Sequence, residues 1–272
     1  MKTVEKQITD TVQESEFLVL EEQEDGIVRL TLNRPEQYNS LSEAMLETLQ
    51  GKLDAIAVNN DARLVILQGV GKAFCAGHDL KEMIVTRKES YYKSLFQQCS
   101  RMMMTLNKLP QPVVARVHGI ATAAGCQLVG ACDLAVASED ARFATSGINV
   151  GLFCSTPSVA VSRNIPRKQA MELLLTGDFI DANTALKWGL INRIAPSEKL
   201  DEEVQKLADA ILSKSSLAVF TGKKMFYKQL EKNMEDAYAF AGEIMACNMM
   251  AEDVNEGIDA FVKKRKAVWK GR

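Results

Sequence analysis

The chain has 272 residues, 47 % of them hydrophobic and 25 % charged, proportions that suit a soluble globular protein with a substantial core. A formal net charge of −2 leaves no basic footprint for nucleic acid. No apolar run approaches the ~20 residues that span a bilayer, so no membrane span is expected.

In chain order, residues 1–15 are polar and read as a loosely ordered N-terminus. This stretch carries Glu5, Asp10 and Glu14 and lacks the apolar centre of a signal peptide and the Arg-rich, acid-poor character of an organelle presequence. A cytoplasmic location is the expectation. Gly26 to Asn33 alternates as a strand, and Arg34 to Ser40 forms a turn. Ser42 caps a helix with apolar residues Met45, Leu46, Leu49, Leu53 and Ile56 at helical spacing. Leu64 to Leu67 is a buried strand, followed by a loop from Gly69 to Asp79 and a helix from about Leu80, with Asp79 as its cap. Tyr91 to Leu109 is amphipathic, and its Met102, Met103 and Met104 read as core.

Pro112 to Val117 is the next strand. The small-residue run Gly119 to Asp133 turns from it into a helix. Leu134 to Ala137 is a strand, and Arg142 to Gly151 a loop or short strand. Arg167 to Thr176 is a helix stopped by Gly177; Asn183 to Trp188 is another, stopped by Gly189. Leu190 to Ile194 is a strand, and from Leu200 the pattern is helical only. The alternation argues for an α/β core over residues 16–199, with a helical region over 200–272.

Six cysteines without a CxxC pair read as buried free thiols in a reducing compartment. With His78 and His118 the only histidines, no metal site is expected. Gly69-Val-Gly71 lacks the third glycine of a dinucleotide loop, since position 74 is Phe74. No GxSxG elbow supports a hydrolase serine. The basic cluster Lys263, Lys264, Arg265, Lys266, Lys270 and Arg272 reads first as a solvated helix face, and second as an anchor for a phosphate-bearing ligand.

Two loops remain, Gly71-Lys-Ala-Phe-Cys-Ala-Gly-His-Asp-Leu-Lys81 and the run from Gly119. Each is a small-residue turn between a strand and a helix. Two such turns facing each other aim backbone N–H groups at an oxygen that gains negative charge. Tight helix–strand packing calls for the same small residues, so composition alone leaves both readings open.

These loops, with Leu32-Asn33-Arg34-Pro35, Gly125-Cys-Gln-Leu-Val-Gly-Ala-Cys-Asp133 and Leu175-Thr-Gly-Asp-Phe-Ile-Asp-Ala182, resemble the enoyl-CoA hydratase/isomerase (crotonase) superfamily from about Gly26 to Trp269. The resemblance implies a ClpP/crotonase-like spiral core of repeated ββα units with a C-terminal helical trimerisation region. It implies an acyl-CoA ligand, with coenzyme A as part of the substrate and no separate cofactor, and a homotrimer or dimer of trimers. It assigns the oxyanion N–H groups to His78 and Ala124. It lines the thioester and pantetheine region with Gly77, Asp79, Leu80, Lys81 and Gly125, and brings Gln37 and Tyr38 to the adenine end.

Glu36 stands where hydratases often carry a lysine, and Lys223, Lys224 or the C-terminal basic cluster are the candidates to replace it. The two catalytic glutamates of the family's hydratases fall on Gln127 and Gly147. An amide cannot exchange a proton near neutral pH, so ordinary hydration is expected to be crippled. His78, Asn149, Cys154 and Ser155 are candidates for other chemistry. Three readings stay open: an acyl-CoA enzyme without the usual acids, a non-catalytic acyl-CoA binding protein, and a hydratase with a displaced carboxylate.

Overall fold

The computed structural model describes residues 18–272; the expected loose segment 1–15 lies outside the described residues. Asp25 and Gly26 take positive φ, 49° and 81°, as the two central residues of a tight hairpin do. They join Val19–Glu24 (β1) to Ile27–Leu32 (β2) with Glu24 opposite Ile27. Helix Glu43–Ala57 (α1) starts at Ser42, whose hydroxyl accepts from the Met45 N–H at 3.1 Å, and buries the apolar stripe read from its spacing. It crosses over to Leu64–Gly69 (β3), which pairs parallel with β2.

From β3 onward one unit repeats. A strand of a large sheet is followed by a short strand of a second sheet and then by helix. The first unit is β3 with Ala73–Cys75 (β4), then Leu80–Val85 (α2) and Glu89–Lys108 (α3). The second is Val113–Val117 (β5), Ile120–Thr122 (β6) and Ala124–Ala131 (α4). The third is Leu134–Ser138 (β7), Arg142–Ala144 (β8), then Ser155–Asn164 (α5) and Arg167–Thr176 (α6). Ile180–Asp181 (β9), Ala182–Trp188 (α7) and Arg193–Ala195 (β10) complete sheets of order β1-β2-β3-β5-β7-β10 and β4-β6-β8-β9. Neighbours β3, β5 and β7 are parallel, as are β4, β6 and β8, so each unit advances one strand in both sheets. This is the spiral ββα core that the resemblance implies.

The large sheet is covered on both faces, as parallel sheets are. Val65, Leu67, Val113 and Ala115 join one core with Phe74 and Phe143. The alternate residues Leu64, Ile66 and Val114 join a second with Leu200 and Val204 of Leu200–Leu212 (α8). Ser216–Gln229 (α9), Met234–Asn248 (α10) and Glu252–Val262 (α11) follow. Helices α9 and α10 bury no residue, and Phe226, Leu230, Met234, Tyr238, Met245 and Phe261 remain exposed. Among the described residues no helix is long and apolar enough to cross a membrane.

Some expectations shift. The strand expected over Leu190 to Ile194 pairs only as β10, because Gly189 at φ 91° turns the chain and sends Leu190 and Ile191 into the core first. Helix α5 was not legible, having only Pro157 and Val161 buried. Met102 and Met103 are core, whereas Met104 is exposed. Five of the six free cysteines are buried; Cys247 is not, because it lies on the uncovered helix α10.

Candidate active site

The first turn is built by the segments around Leu41 and His78 running side by side. The Ala76 N–H donates to the Tyr38 carbonyl at 3.0 Å, the Leu41 N–H to Gly77 O at 2.7 Å, and the Asp79 N–H to Leu41 O at 3.3 Å. Leu41 thus uses both main-chain groups on the residues flanking His78, and the His78 N–H faces away from it. Among the described residues that N–H has no partner. Asp79 caps α2, accepting from the Lys81 and Glu82 N–H groups at 3.1 and 3.3 Å, and is ion-paired to Arg34 at 3.2 Å. Burial pushes its pKa up, but the Glu82 N–H and the Arg34 guanidinium outweigh that and hold it below the ordinary carboxylate value. Beneath lies fully buried Asn39. Its amide donates to Val70 O and Ala73 O at 2.9 and 2.8 Å, and its Oδ1 accepts from the Arg34 N–H at 2.8 Å.

The second turn is strained. Ala123 sits at φ 51°, ψ −119°, a conformation that costs an L-residue roughly 1–3 kcal/mol. It is held by its N–H donating to Ala144 O at 3.0 Å, and by Thr122 Oγ1 and Ser146 Oγ 2.7 Å apart. Helix α4 begins at the next residue, so the Ala124 N–H is a first-turn donor without an intrahelical acceptor. The two turns meet at Gly77 (φ 93°): a Cβ there would lie 2.9 Å from Ala123 Cβ and 3.2 Å from the Ala124 nitrogen. A Cβ on Gly125 would lie within 1.9 Å of Cys75 O, so α4 and β4 approach as closely as backbones allow. The structure therefore brings together two turns, at His78 and Ala124, each with an N–H that has no partner among the described residues.

Gln127 lies one turn along α4 from Ala124 and is 4 % exposed. Its amide makes no side-chain hydrogen bond among the described residues, and Oε1 is buried without a partner. Gly147 lies in a short 3-10 turn against Leu152 and Cys154. Burial pushes the Cys154 thiol up, with the Gly147 backbone opposing, which disfavours a thiolate nucleophile. The His78 ring packs edge-on against Phe96, centroids 5.5 Å apart. Neither ring nitrogen reaches hydrogen-bond geometry, although the Leu41 backbone lies near enough to favour the protonated form. Burial is the larger effect and lowers the ring's pKa.

Asn149 is exposed, with its Nδ2 donating to Gly177 O at 3.3 Å, which turns it to the loop after α6. Ser155 is exposed at the start of α5, its hydroxyl directed to Phe153 O at 3.4 Å. Gln37, Tyr38, Leu80 and Lys81 are exposed on the two segments flanking the first turn.

Lys223 is unsuited to phosphate. Its ammonium is buried and donates to Leu106 O, Gln111 O and Asp133 Oδ2 at 2.8, 2.9 and 2.6 Å. Most of the C-terminal cluster is committed too: Arg265 to Glu256 and Asp259, Lys263 to Asp259, Lys270 and Arg272 to Glu252. Lys224 is exposed.

Spiral ββα units with paired N–H turns between β4 and α2 and at the start of α4 define the crotonase class. The chain belongs to the enoyl-CoA hydratase/isomerase family, whose model matches residues 22–272. It is 47 % identical, over 91 % of its length and 82 % of the relative's, to enoyl-CoA hydratase domain-containing protein 3, mitochondrial, of Rattus norvegicus. The crystal structure of the human protein of that name superposes with a TM-score of 0.90 at 46 % identity, covering 93 % of this chain and 100 % of that one. The crystal structure of an enoyl-CoA hydratase from Mycobacterium smegmatis gives 0.92 at 53 %, covering 93 % and 98 %. The similar proteins from rat, mouse, Xenopus laevis, human and Danio rerio are all named mitochondrial, which overturns the cytoplasmic location expected from N-terminal composition.

Proposed function

We propose that this chain binds acyl-CoA thioesters and polarises the thioester carbonyl between the His78 and Ala124 N–H groups. The observation that carries the proposal is the meeting of the two turns at Gly77, one of them at the strained residue Ala123. Strain retained in a buried turn marks a place where the backbone is held for use. Two fixed donors at a developing oxyanion stabilise it without reorganisation, and losing one comparable donor costs ~3–4 kcal/mol in the transition state.

The reaction is not ordinary hydration. Gln127 cannot exchange a proton near neutral pH and Gly147 has no side chain; each acid–base group is worth ~10² to 10⁴-fold. What the donors support is stabilisation of an enolate or tetrahedral oxyanion, as in thioester hydrolysis, decarboxylation or water-assisted isomerisation. The depressed basicity of the His78 ring favours a second reading, a binding protein without turnover. Gln37 and Tyr38 flank the adenine end, Lys224 or a neighbouring subunit meets the phosphates, and coenzyme A is the only nucleotide required. The exposed apolar residues of α9–α11 support a homotrimer or dimer of trimers.

Calorimetric titration with crotonyl-CoA, followed by loss of its conjugated thioester absorbance, tests the proposal. Binding with hydration near background is expected. Rapid loss of absorbance points to a displaced acid instead, and failure of every CoA ester to bind removes the oxyanion assignment.

A further inference from the structure

We infer that Asn39 and Arg34 are positioning residues, which together aim the His78 N–H at the carbonyl it would hold; the assignment rests on the thioester reading above. The two donors are not supported alike. The Ala124 N–H opens a helix of eight residues, so α4 sets its direction. His78 stands two residues before α2 and pairs only through its isolated bridge with Leu41. Whatever holds Leu41 in place therefore sets the direction of the His78 N–H. Leu41 lies in the connection between β2 and α1, which carries only a short 3-10 turn at Pro35–Gln37.

Asn39 locks that connection to the loop leading into the first turn. Its side chain donates one N–H to Val70 O and the other to Ala73 O, at 2.9 and 2.8 Å, while Oδ1 accepts from the Arg34 N–H at 2.8 Å. Val70 and Ala73 bracket the loop from β3 into β4. Gly69 leaves room for the amide, since a Cβ there would lie 2.7 Å from Asn39 Nδ2. Asn39 has no exposed surface, so it cannot touch a ligand and acts through the backbone alone.

The backbone here is strained. Tyr38 and Asn39 are consecutive left-handed residues, at φ 52° and 54°. Asparagine tolerates that conformation, whereas tyrosine rarely adopts it. So turned, the Tyr38 carbonyl accepts from the Ala76 N–H, two residues before His78, at 3.0 Å. Strain of this kind persists only where the surroundings over-determine it, and it gathers at functional sites. Arg34 closes the other end. Its guanidinium donates to Ser40 O at 3.1 Å and to Asp79 Oδ2 at 3.2 Å. One side chain thus grips the residue before Leu41 and the residue after His78.

A brace that only kept the chain folded would affect all ligands alike, whereas one that aims a donor affects those with a carbonyl. The test is calorimetry on the full chain with butyryl-CoA and with S-butyl-CoA, the thioether that lacks the carbonyl. The infrared stretch of an isotope-labelled butyryl-CoA carbonyl, which a well-aimed donor lowers, is read beside it. The unaltered protein is expected to prefer the thioester and to lower its stretch. Asn39→Gly keeps the left-handed backbone and removes the amide; Arg34→Met removes the guanidinium at similar length. Each is expected to weaken butyryl-CoA about tenfold, or about 1.4 kcal/mol. Each should leave S-butyl-CoA within about twofold and reverse part of the lowered stretch. The Arg34 pair is partly exposed and its loss costs the fold little, so Arg34→Met decides the matter even if Asn39→Gly does not fold. Either folded variant overturns the inference by keeping the wild-type preference and stretch, or by losing affinity for both ligands equally. If the unaltered protein binds neither ligand, or binds both alike with an unshifted stretch, the thioester reading itself falls.

Discussion

Gly147 and Cys154 exclude a side chain between them: a Cβ on Gly147 would lie 2.8 Å from Cys154 Sγ and 2.6 Å from Leu152 O. The loop that follows Gly147 fills the volume a side chain there would need. Restoring both acids, Gln127→Glu with Gly147→Glu, is expected to give no gain in hydration of crotonyl-CoA. Overpacking of this kind costs about 1–3 kcal/mol, which in a chain of this size lowers the melting temperature by roughly 2–4 °C per kcal/mol. Cys154→Ala should recover little, because the Leu152 carbonyl remains in the way. Hydration gained without loss of thermal stability would contradict this account.

Ala123 and Gly77 predict opposite responses to small changes. Ala123→Gly releases a backbone conformation that glycine adopts freely and is expected to stabilise the fold by up to about 1 kcal/mol. Gly77→Ala adds a methyl at φ 93°, 2.9 Å from Ala123 Cβ, and is expected to destabilise it by at least as much and to weaken acyl-CoA binding. Urea unfolding reads the first effect and titration the second. A Gly77→Ala protein with unchanged affinity would separate this turn from the ligand.

The C-terminal segment is fastened by Glu256. Its carboxylate takes both Arg265 nitrogens at 2.6 and 2.7 Å and the Val268 N–H at 2.8 Å. Arg265 first, then the Val268 N–H, lower its pKa from 4.5 to about 2. A folded-state pKa below the ordinary value gives a contribution complete above about 4.5 and lost as pH falls from there through about 2. Trp269, whose indole N–H donates to Ser213 O at 2.7 Å, reports the segment. In a Trp188→Phe background its fluorescence should hold from pH 7 to 5 and change below that. Glu256→Gln should show the changed signal already at neutral pH. A wild-type transition between pH 7 and 5 contradicts the pairing.

Features set by local chemistry were legible in the sequence, and those set by distant contacts were not. Ser42 and Asp79 announce helix starts through their own side chains, and the α1 stripe repeats at helical spacing. Strands β4, β6 and β8 have three residues each, too few for a periodicity, and exist because parallel neighbours pair with them. Strand β1 is signalled by Asp25-Gly26, a dipeptide that suits a two-residue hairpin turn. The crowding at Gly147 comes from Leu152 and Cys154, and a glycine alone does not say whether a side chain is missing or excluded. Lys223 misled for the same reason: its acceptors lie at Leu106, Gln111 and Asp133, far back in the chain.

That lysine gives the sharpest separation of structure from ligand binding. Lys223 and Asp133 are a buried pair, and Asp133 also accepts from the Val113 N–H at 2.6 Å and the Tyr227 hydroxyl at 2.8 Å. Burial pushes the lysine pKa down and the carboxyl pKa up, while each partner's charge opposes the shift. Removing one partner leaves the other charge buried and uncompensated, which typically costs ~3–5 kcal/mol, whereas removing both costs less than the sum. Lys223→Met and Asp133→Asn should therefore each lower stability to urea strongly, with the double variant losing less than the two added together. Additive losses would mean the pair is not coupled. Affinity for acyl-CoA, measured on the folded fraction, should be unchanged in Lys223→Met, because its ammonium is spent on the Leu106 carbonyl of α3, the Gln111 carbonyl and Asp133 and not on phosphate. A selective loss of CoA affinity without loss of stability would return Lys223 to the ligand site.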